Sequence, residues 1–303
     1  MCFKVFKNTV LLLVLVTISC GKNLKANDRI QTNTNGLAKE TSTLFHETKN
    51  GSTSIIVGAN RTEKYISLLR GKHVGIVANQ TSVIFKPTDT VLENTQNSVS
   101  YTHLIDSLLK LEIDIKKVFA PEHGFRGIAD AGELVKDGKD TKTGLPILSL
   151  HGKHKKPTTA QLKDLDIMIF DIQDVGVRFY TYISTLHYVM EACAEQNISL
   201  LILDRPNPNG SYVDGPVLEK QHSSFLGMHP ISLIHGMTIG EYAKMINGEA
   251  WLKNESTCDI NIVDMLNYNH NSNYSLPIRP SPNLPNDQSI ILYPSLGLFE
   301  GTD

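Results

Sequence analysis

Residues 166–178 read DIMIFDIQDVGVR. The first half of this stretch is a continuous apolar run, without the apolar–polar alternation of a half-exposed strand. Such a run predicts a short strand buried on both faces, as in a parallel sheet that carries helices on either side. The run leads into acidic and amide side chains, so the strand is expected to present polar groups at its carboxyl end.

The same pattern recurs along most of the chain. Further strands are predicted at residues 73–79, 116–120, 145–150, 199–205 and 259–264, and helices at residues 102–111, 158–165, 183–197 and 239–252. Buried strands that alternate with helices are typical of α/β proteins. The sequence therefore predicts a Rossmann-like, doubly wound parallel sheet, followed by a second, smaller α+β region.

The first twenty residues have the features of an export signal. Lys4 and Lys7 precede a short apolar run that ends at Cys20 and resembles a bacterial lipobox. The run is too short to span a bilayer comfortably. We predict a lipoprotein signal peptide over residues 1–19, lipidation of Cys20 and an exported, membrane-anchored protein that faces the periplasm. A plain secretory signal and an uncleaved anchor are the alternatives.

Three segments are predicted after the signal. Residues 20–53 are rich in Asn, Thr, Lys and Ser and are expected to form a flexible tether, because they contain few side chains that could build a core. Residues 54–215 are predicted to form the Rossmann-like catalytic domain. Pro and Gly become frequent after residue 206. We therefore predict that residues 216–303 form the first part of a second domain.

The overall charge and the cysteine spacing argue against some classes of protein. The chain has 303 residues, 41% of them hydrophobic, and a formal net charge of −2. Nucleic-acid binding would require a basic face, so no nucleic-acid partner is expected. No C-x-x-C spacing is present, so a structural zinc site of that type is not indicated.

Polar residues cluster where four of the predicted strands end. Ligands bind beyond the carboxyl ends of the strands in an open parallel α/β sheet, so this clustering predicts a pocket at that edge. The residues are Asn79 after the first strand, Glu122 and His123 after the second, Asp171, Gln173, Asp174 and Arg178 at the fourth, and Asp204, Arg205 and Asn207 at the fifth.

Two carboxyl groups that face each other across a pocket can hydrolyse a glycosidic bond. One protonates the leaving oxygen, and the other activates water or acts as a nucleophile. The acid must stay protonated near neutral pH, which requires partial burial or a neighbouring anion. A turn bounded by Pro121 and Gly127 could shield Glu122 in this way. Arg126 or Arg178 could hold a substrate carboxylate, because a guanidinium pairs with it through two parallel hydrogen bonds.

Each of these residues also has an ordinary structural interpretation. Glu122 and Arg126 could form a solvated ion pair. Asp171 and Asp174 could cap turns, which is a common role of Asp. The aromatic run YTYIS at residues 180–184 could pack in the core or form a lip on which a sugar stacks.

Several long motifs follow one another in a specific order from about residue 54 to the end. They are VFAPEHGFRG (118–127), DIQDVGVRFYTYISTL (171–186), LDRPNPNG (203–210) with VDGPVLE (213–219), HGMTIGEYAKMING (235–248) and PSPNLPN (280–286). In this order they resemble the motifs of the NamZ-type exo-β-N-acetylmuramidases, glycoside hydrolase family 171.

The resemblance implies a Rossmann-like domain, a smaller domain and an active cleft between them. It also implies release of terminal N-acetylmuramic acid (MurNAc) from the non-reducing ends of peptidoglycan fragments, in cell-wall turnover. No cofactor or metal is implied, and the chain indeed lacks a G-x-G-x-x-G turn after its first strand. The presumed catalytic glutamate of the family falls on Glu122, and Asp171 and Asp174 are candidates for the second catalytic group. Substrate contacts are expected from Asn79, His123, Arg126, Gln173, Arg178, Tyr182, Asp204, Arg205, Asn207 and His235.

The resemblance also predicts that the second domain is incomplete, and the residues leave two other functions open. Members of the family continue beyond the E-G-T motif, here residues 300–302, so the second domain is expected to be incomplete. One alternative function is a non-catalytic lipoprotein that binds muropeptides or sugars. Another is a metal-dependent hydrolase or amidase that would use His123, Asp171, Asp174 and His235. The stereochemical course and the oligomeric state stay open.

Overall fold

A computed structural model describes residues 54–86, 100–126 and 136–301 of the chain. The predicted signal peptide, the tether and Cys20 lie outside these ranges. Among the residues that the structure describes, no helix is both long enough and apolar enough to cross a membrane.

The described strands are short, as their apolar runs predicted. They are β1 (Val74–Ala78), β2 (Val83–Phe85), β3 (Tyr101–His103), β4 (Ile115–Ala120), β5 (Gly138–Lys139), β6 (Pro146–Ser149), β7 (Ile167–Asp171), β8 (Ser199–Leu203) and β9 (Ile260–Val263).

Seven of these strands form one sheet in the order β5-β6-β4-β1-β7-β8-β9. Within this sheet the pairs from β6 to β9 are parallel, and β5 runs antiparallel to β6. β2 and β3 form a separate antiparallel pair. From β6 to β9 the strand order is that of the Rossmann fold. The first strand, β1, lies in the middle; β4 and β6 are added on one side of it, and β7, β8 and β9 are then added on the other side. The predicted doubly wound sheet is therefore confirmed, and a ligand-binding crevice is expected where β1 and β7 end.

Helices cover the sheet on both sides. The α-helices are α1 (Thr62–Leu69), α2 (Leu104–Lys110), α3 (Thr159–Leu162), α4 (Tyr182–Gln196), α5 (Ile239–Gly248) and α6 (Asp287–Leu296), and short 3-10 helices lie at Gly58–Asn60, Lys220–His222, Lys253–Glu255 and Gly297–Gly301.

The sheet separates two buried apolar clusters. In β1, Val74 and Ile76 belong to the cluster that also contains side chains of α1 and α2. Val77 points to the other face and belongs to the cluster with α3, α4, α5 and Ile290 of α6. Every residue of β1 and of β7 is buried. Burial on both faces is the physical reason why these strands read as continuous apolar runs.

Every strand and helix predicted from the sequence is present, with ends that differ by a few residues. β9 lies beyond the predicted domain boundary at residue 215, yet it pairs in parallel with β8. The sheet thus contains strands from both sides of that boundary, and the division of the chain at this point stays a prediction.

Candidate active site

The carboxyl ends of β1 and β7 are joined by hydrogen bonds at the point where the strand order changes direction. The Ser82 hydroxyl, in the turn after β1, donates to the main-chain oxygen of Asp171, the last residue of β7. The Gln173 main-chain N–H donates to Thr81 Oγ1 over 3.1 Å. These contacts hold the floor of the crevice in place.

Glu122 lies in a tight turn directly after β4. Pro121 has no N–H to donate and ends the strand, and the Gly124 N–H donates to the Pro121 oxygen over 3.0 Å. His123 has a φ of 68°, in the left-handed region that residues other than Gly rarely adopt. The turn leaves Glu122 half-buried and His123 buried. Local backbone strain therefore lies at the residue directly after the predicted catalytic Glu122.

The start of α4 holds both the main chain and the side chain of Glu122. Thr181 Oγ1 donates to Glu122 Oε2 over 3.2 Å. The Tyr182 hydroxyl donates to the Glu122 main-chain oxygen over 3.4 Å and accepts from Asn79 Nδ2 over 3.1 Å. Thr181 and Tyr182 at the start of α4 thus hold Glu122 directly, and Asn79 after β1 supports it through Tyr182.

Glu122 faces a pocket of about 110 Å³ with aromatic and polar walls. Pockets of this composition are typical of small-molecule sites, because apolar surface supplies binding energy and a few polar groups fix orientation. The lining residues are Glu122, His123, Phe179, Tyr180, Thr181, Tyr182, Leu226, Ser281, Asn283 and Tyr293.

Asp171 forms a buried ion pair with Arg205. Arg205 Nε and Nη2 donate to the two carboxylate oxygens over 2.6 and 2.9 Å, and Nη2 also donates to the Val83 oxygen over 3.0 Å. Asp171 is 0% exposed and Arg205 3% exposed. Burial raises the pKa of Asp171, and the charge of Arg205 opposes that shift. Both carboxylate oxygens are already used by the protein, which is the arrangement of a structural pair.

Asp174 has a different environment three residues further along. Its Oδ2 accepts the Gly176 N–H over 2.7 Å and lies 3.5 Å from His235 Nε2. His235 Nδ1 accepts the Met237 N–H over 3.2 Å, so Nε2 carries the proton of the neutral ring. Asp174 Oδ1 is buried and has no hydrogen-bond partner among the described residues. A buried carboxylate oxygen of this kind is a candidate for contact with substrate or water.

Asn79, Gln173 and Asn207 form hydrogen bonds within the loops that follow β1, β7 and β8. Asn79 Oδ1 accepts hydrogen bonds from the amide and hydroxyl of one residue, Thr81, over 2.8 and 2.6 Å. Gln173 Nε2 donates to the Pro206 oxygen over 2.6 Å. Asn207 Nδ2 donates to a main-chain oxygen in the segment before α5 over 2.9 Å. All three side chains are buried, and they connect strand ends to loops.

Asp204 stabilises the start of α5. Its carboxylate accepts the Thr238 hydroxyl over 2.7 Å and the Gly240 N–H over 2.9 Å. Burial raises the pKa of Asp204 to about 6, although these hydrogen bonds act in the opposite direction. Asp204 lies outside the lining of the Glu122 pocket.

Arg126 forms an ion pair with Asp140, the residue directly after β5. Nε and Nη2 donate to Asp140 Oδ1 and Oδ2 over 3.1 and 2.7 Å. The guanidinium also lies over the Phe125 ring, 4.6 Å from its centre. Arg126 therefore forms its ion pair with Asp140, and not with Glu122 as the structural interpretation of these residues proposed.

Among the described residues, the Arg178 guanidinium donates to carbonyl oxygens only. Its Nη1 donates to the Pro216 and Ile231 oxygens over 2.7 and 2.5 Å. No carboxylate of the described chain forms an ion pair with it, and burial lowers its pKa. A Cβ built on Gly227, the neighbour of pocket-lining Leu226, would lie 3.7 Å from Arg178 Nε. Arg178 is thus a partly uncompensated cation close to the pocket.

The residues that a metal-dependent hydrolase would use do not assemble. Asp171 is paired with Arg205, and Asp174 lies beside His235. In the ranges that the structure describes, no group of three or more His, Cys, Asp or Glu side chains could hold a metal ion.

The structure brings three of the predicted site residues to the lining of the pocket, and the others lie outside that lining. Glu122, His123 and Tyr182 line the pocket. Sequence analysis missed Thr181, Ser281 and several apolar lining residues. The available signals were the YTYIS run at residues 180–184, which contains Thr181, and the PSPNLPN motif, which contains Ser281 and Asn283.

Comparison with known proteins places the chain in a family. Residues 74–288 match the family model described as exo-β-N-acetylmuramidase NamZ, N-terminal. The chain belongs to the NamZ family. Its match covers β1 to the first residues of α6, and therefore includes the Glu122 turn, the Asp171–Arg205 pair and the start of α4.

A curated NamZ relative is similar over most of this chain. It is the peptidoglycan β-N-acetylmuramidase NamZ of Bacillus subtilis (strain 168), 43% identical over 244 residues. The match covers 79% of this chain and 55% of the relative. The chain thus spans about half the length of this relative.

Two solved structures share the fold. Both are DUF1343 family proteins from Bacteroides fragilis NCTC 9343, and both superpose with a TM-score of 0.70. One is 46% identical and matches 82% of this chain and 63% of its own length. The other is 35% identical and matches 81% and 60%. These similarities support the α/β architecture described above.

Proposed function

We propose that this NamZ-family protein is an exo-acting glycosidase that releases terminal MurNAc from the non-reducing ends of peptidoglycan fragments. The observation that carries the proposal is the position of Glu122. Glu122 lies half-buried directly after β4, the strand that pairs with β1, in a pocket with aromatic and polar walls. The B. subtilis relative is named a peptidoglycan β-N-acetylmuramidase, which supports the same substrate class.

Glu122 acts as the general acid in this proposal. Its proton passes to the glycosidic oxygen as the bond from that oxygen to the anomeric carbon breaks. Water supplies the hydroxyl that the anomeric carbon finally bears, and the proton that water loses goes to a carboxylate.

Asp174 is the better candidate for the second carboxyl group. Asp171 uses both oxygens in its pair with Arg205. Asp174 is anchored through Oδ2, while Oδ1 has no partner among the described residues. His235 Nε2 lies 3.5 Å from Oδ2, on the anchored side of the carboxyl group.

Arg178 is the better candidate to recognise the lactyl carboxylate of MurNAc. Arg126 is already neutralised by Asp140. Arg178 binds only carbonyl oxygens among the described residues and lies near Gly227, the neighbour of pocket-lining Leu226. A guanidinium with uncompensated charge can pair with a substrate carboxylate.

The direct test is incubation of the purified protein with a MurNAc–GlcNAc disaccharide or a chromogenic β-MurNAc glycoside. Release of MurNAc is expected. Glu122→Gln keeps the shape of the side chain but removes the acid proton, so turnover should fall about 100-fold or more. Binding without product, beside an active control enzyme, would refute the glycosidase and leave a sugar-binding protein. Wild-type turnover of Glu122→Gln would place the acid elsewhere.

We also propose that the protein is an exported lipoprotein, anchored through lipid on Cys20 and facing the periplasm. The support is the basic start, the short apolar run and the cysteine that follows it. Cells fed labelled palmitate should label the wild-type protein, and the label should be lost in Cys20→Ser. An unlabelled wild-type protein in the soluble fraction would contradict the anchor.

A further inference from the structure

Helix α4 begins without a side-chain cap. Thr181 is its N-cap residue, but its hydroxyl accepts no N–H of the first turn. α3 and α5 begin with Thr158 and Thr238, and each of these hydroxyls accepts the N–H three residues later. Threonine is favoured at this position because it satisfies an N–H that otherwise lacks a partner. The same residue type therefore has another use at the start of α4.

The backbone explains why Thr181 does not cap. Thr158 and Thr238 are extended, with ψ values of 158° and 168°, whereas Thr181 has a ψ of 0°. The Thr181 main chain thus turns early, and its oxygen accepts the N–H groups of Ser184 and Thr185 over 3.0 Å each. Its hydroxyl instead donates to Glu122 Oε2 over 3.2 Å.

We propose that Thr181 is a positioning residue that sets which oxygen of Glu122 delivers the acid proton. The inference rests on the proposed function, since it assigns Thr181 a role toward the catalytic acid. A hydroxyl that donates to Oε2 makes Oε2 the acceptor oxygen of the carboxyl group. The transferable proton is then on Oε1 in the protonated acid, and the Thr181 bond stabilises the carboxylate that remains after transfer.

A second contact makes this arrangement rigid. The Tyr182 hydroxyl, from the next residue, donates to the Glu122 main-chain oxygen and accepts from Asn79. Tyr182 is 2% exposed, so its ring is fixed by the core around α4. The main chain and the carboxyl group of Glu122 are both held by the start of one buried helix. Small displacements of a catalytic group reduce turnover strongly, so this support is functionally relevant.

The test compares Thr181→Val with Thr181→Ser on a chromogenic β-MurNAc glycoside. Thr181→Val keeps the shape but lacks the hydroxyl, and kcat should fall about tenfold, as expected for loss of a hydrogen bond to a charged group. KM should change little. The alkaline limb of the pH–rate profile should move to higher pH, because the Glu122 carboxylate has lost the Thr181 hydroxyl as a hydrogen-bond donor. Thr181→Ser should restore both kcat and the wild-type profile.

Thr185→Val is the matched control, one turn further along the same helix. Its hydroxyl donates to the Thr181 main-chain oxygen over 3.3 Å and not to Glu122, so this variant should keep the wild-type pH profile. If Thr181→Val unfolds at a lower temperature, the comparison of Thr181→Ala with Thr181→Ser replaces it. Equal kcat and equal pH profiles with and without the hydroxyl would overturn the inference. An inactive wild-type protein would refute the proposed function instead.

Discussion

Asp171 and Asp174 are close in sequence but have opposite environments. The sequence gives both the same candidate role, because each follows the apolar run of β7. The structure gives Asp171 a bidentate arginine partner, and it gives Asp174 a main-chain N–H and a histidine. Substitution by Asn, which is nearly the same size, should therefore have different consequences at the two positions.

Asp171→Asn is predicted to be a stability variant. It leaves the Arg205 charge buried without its counter-ion, and breaking a buried pair in this way costs about 3–5 kcal/mol. Urea denaturation followed by circular dichroism would measure the loss. The double variant Asp171→Leu with Arg205→Met should recover much of it, because no unpaired charge then remains. Wild-type stability of Asp171→Asn would show that the pair is not structural.

Asp174→Asn is predicted to be an activity variant. The Asn oxygen can still accept the Gly176 N–H, so the unfolding midpoint should stay close to that of the wild type. The proposed base is lost, and turnover should fall about 100-fold. A folded variant with wild-type turnover would remove Asp174 from the reaction and return the question to the other carboxyl groups of the crevice.

The connection from β7 to α4 depends on one glycine. Gly176 has a φ of 77°, and a Cβ at this position would lie 2.4 Å from Asn207 Oδ1. The Gly176 main-chain oxygen accepts the main-chain N–H of His235 over 3.1 Å, and the Gly176 N–H donates to Asp174 Oδ2. The turn therefore fixes both the candidate base and its histidine, and only glycine fits its backbone and its packing.

Gly176→Ala is predicted to destabilise the protein by about 2 kcal/mol or more, from backbone strain and the clash with Asn207. Thermal unfolding measures the effect. Gly248→Ala is a suitable control: Gly248 ends α5, its φ is not positive, and open space surrounds its Cβ position. That variant should be as stable as the wild type or slightly more stable. Equal midpoints for the two variants would contradict this account of the turn.

Long elements with a clear apolar pattern were predictable, and short ones were not. The helix predicted at residues 158–165 is present as the shorter α3, which Thr158 caps. β2 and β3 have three residues each, too few for a pattern to appear. α6 contains Pro294 and has two buried residues, so it lacks the regular apolar face that marks a helix in sequence.

Buried histidines connect elements on one side of the molecule. His229 Nδ1 lies 2.9 Å from the Tyr242 hydroxyl of α5, and its Nε2 lies 3.0 Å from His187 Nδ1 of α4. Its ring stacks on Trp251 with centres 4.3 Å apart. Burial, with a smaller contribution from His187, lowers the pKa of His229 to about 3. On the other face of the sheet, burial lowers the pKa of His103 to about 4.

These shifts predict a loss of stability in acid. The unfolded chain takes up protons on histidine near the ordinary value of about 6.5, whereas the folded protein resists protonation of His103 and His229 down to about pH 4 and pH 3. Their contribution is complete above pH 6.5 and is lost as the pH falls. Asp204 has the opposite effect. Its contribution to stability increases as the pH falls from about 6 toward the ordinary pKa of an aspartate, because burial raises its pKa in the folded protein.

His229→Gln tests the assignment. The free energy of unfolding should depend less steeply on pH between 6 and 4 than in the wild type, by up to about 1.4 kcal/mol per pH unit for one proton. Urea denaturation at several pH values gives this slope. His222→Gln, at an exposed position, should leave the slope unchanged. An identical slope for His229→Gln and the wild type would show that His229 does not resist protonation.

The amino-acid pattern was sufficient to predict the α/β sheet and the edge at which its polar residues meet. Burial on both faces is a property of each strand, and it is visible in a few consecutive residues. The motif order was sufficient to predict the family. The partner of each polar side chain was decided by tertiary structure, because the partners are far apart in the chain: 34 residues separate Asp171 from Arg205, and 59 separate Glu122 from Thr181. No local pattern encodes such distances, so only the folded chain distinguishes a structural carboxylate from one that faces the pocket.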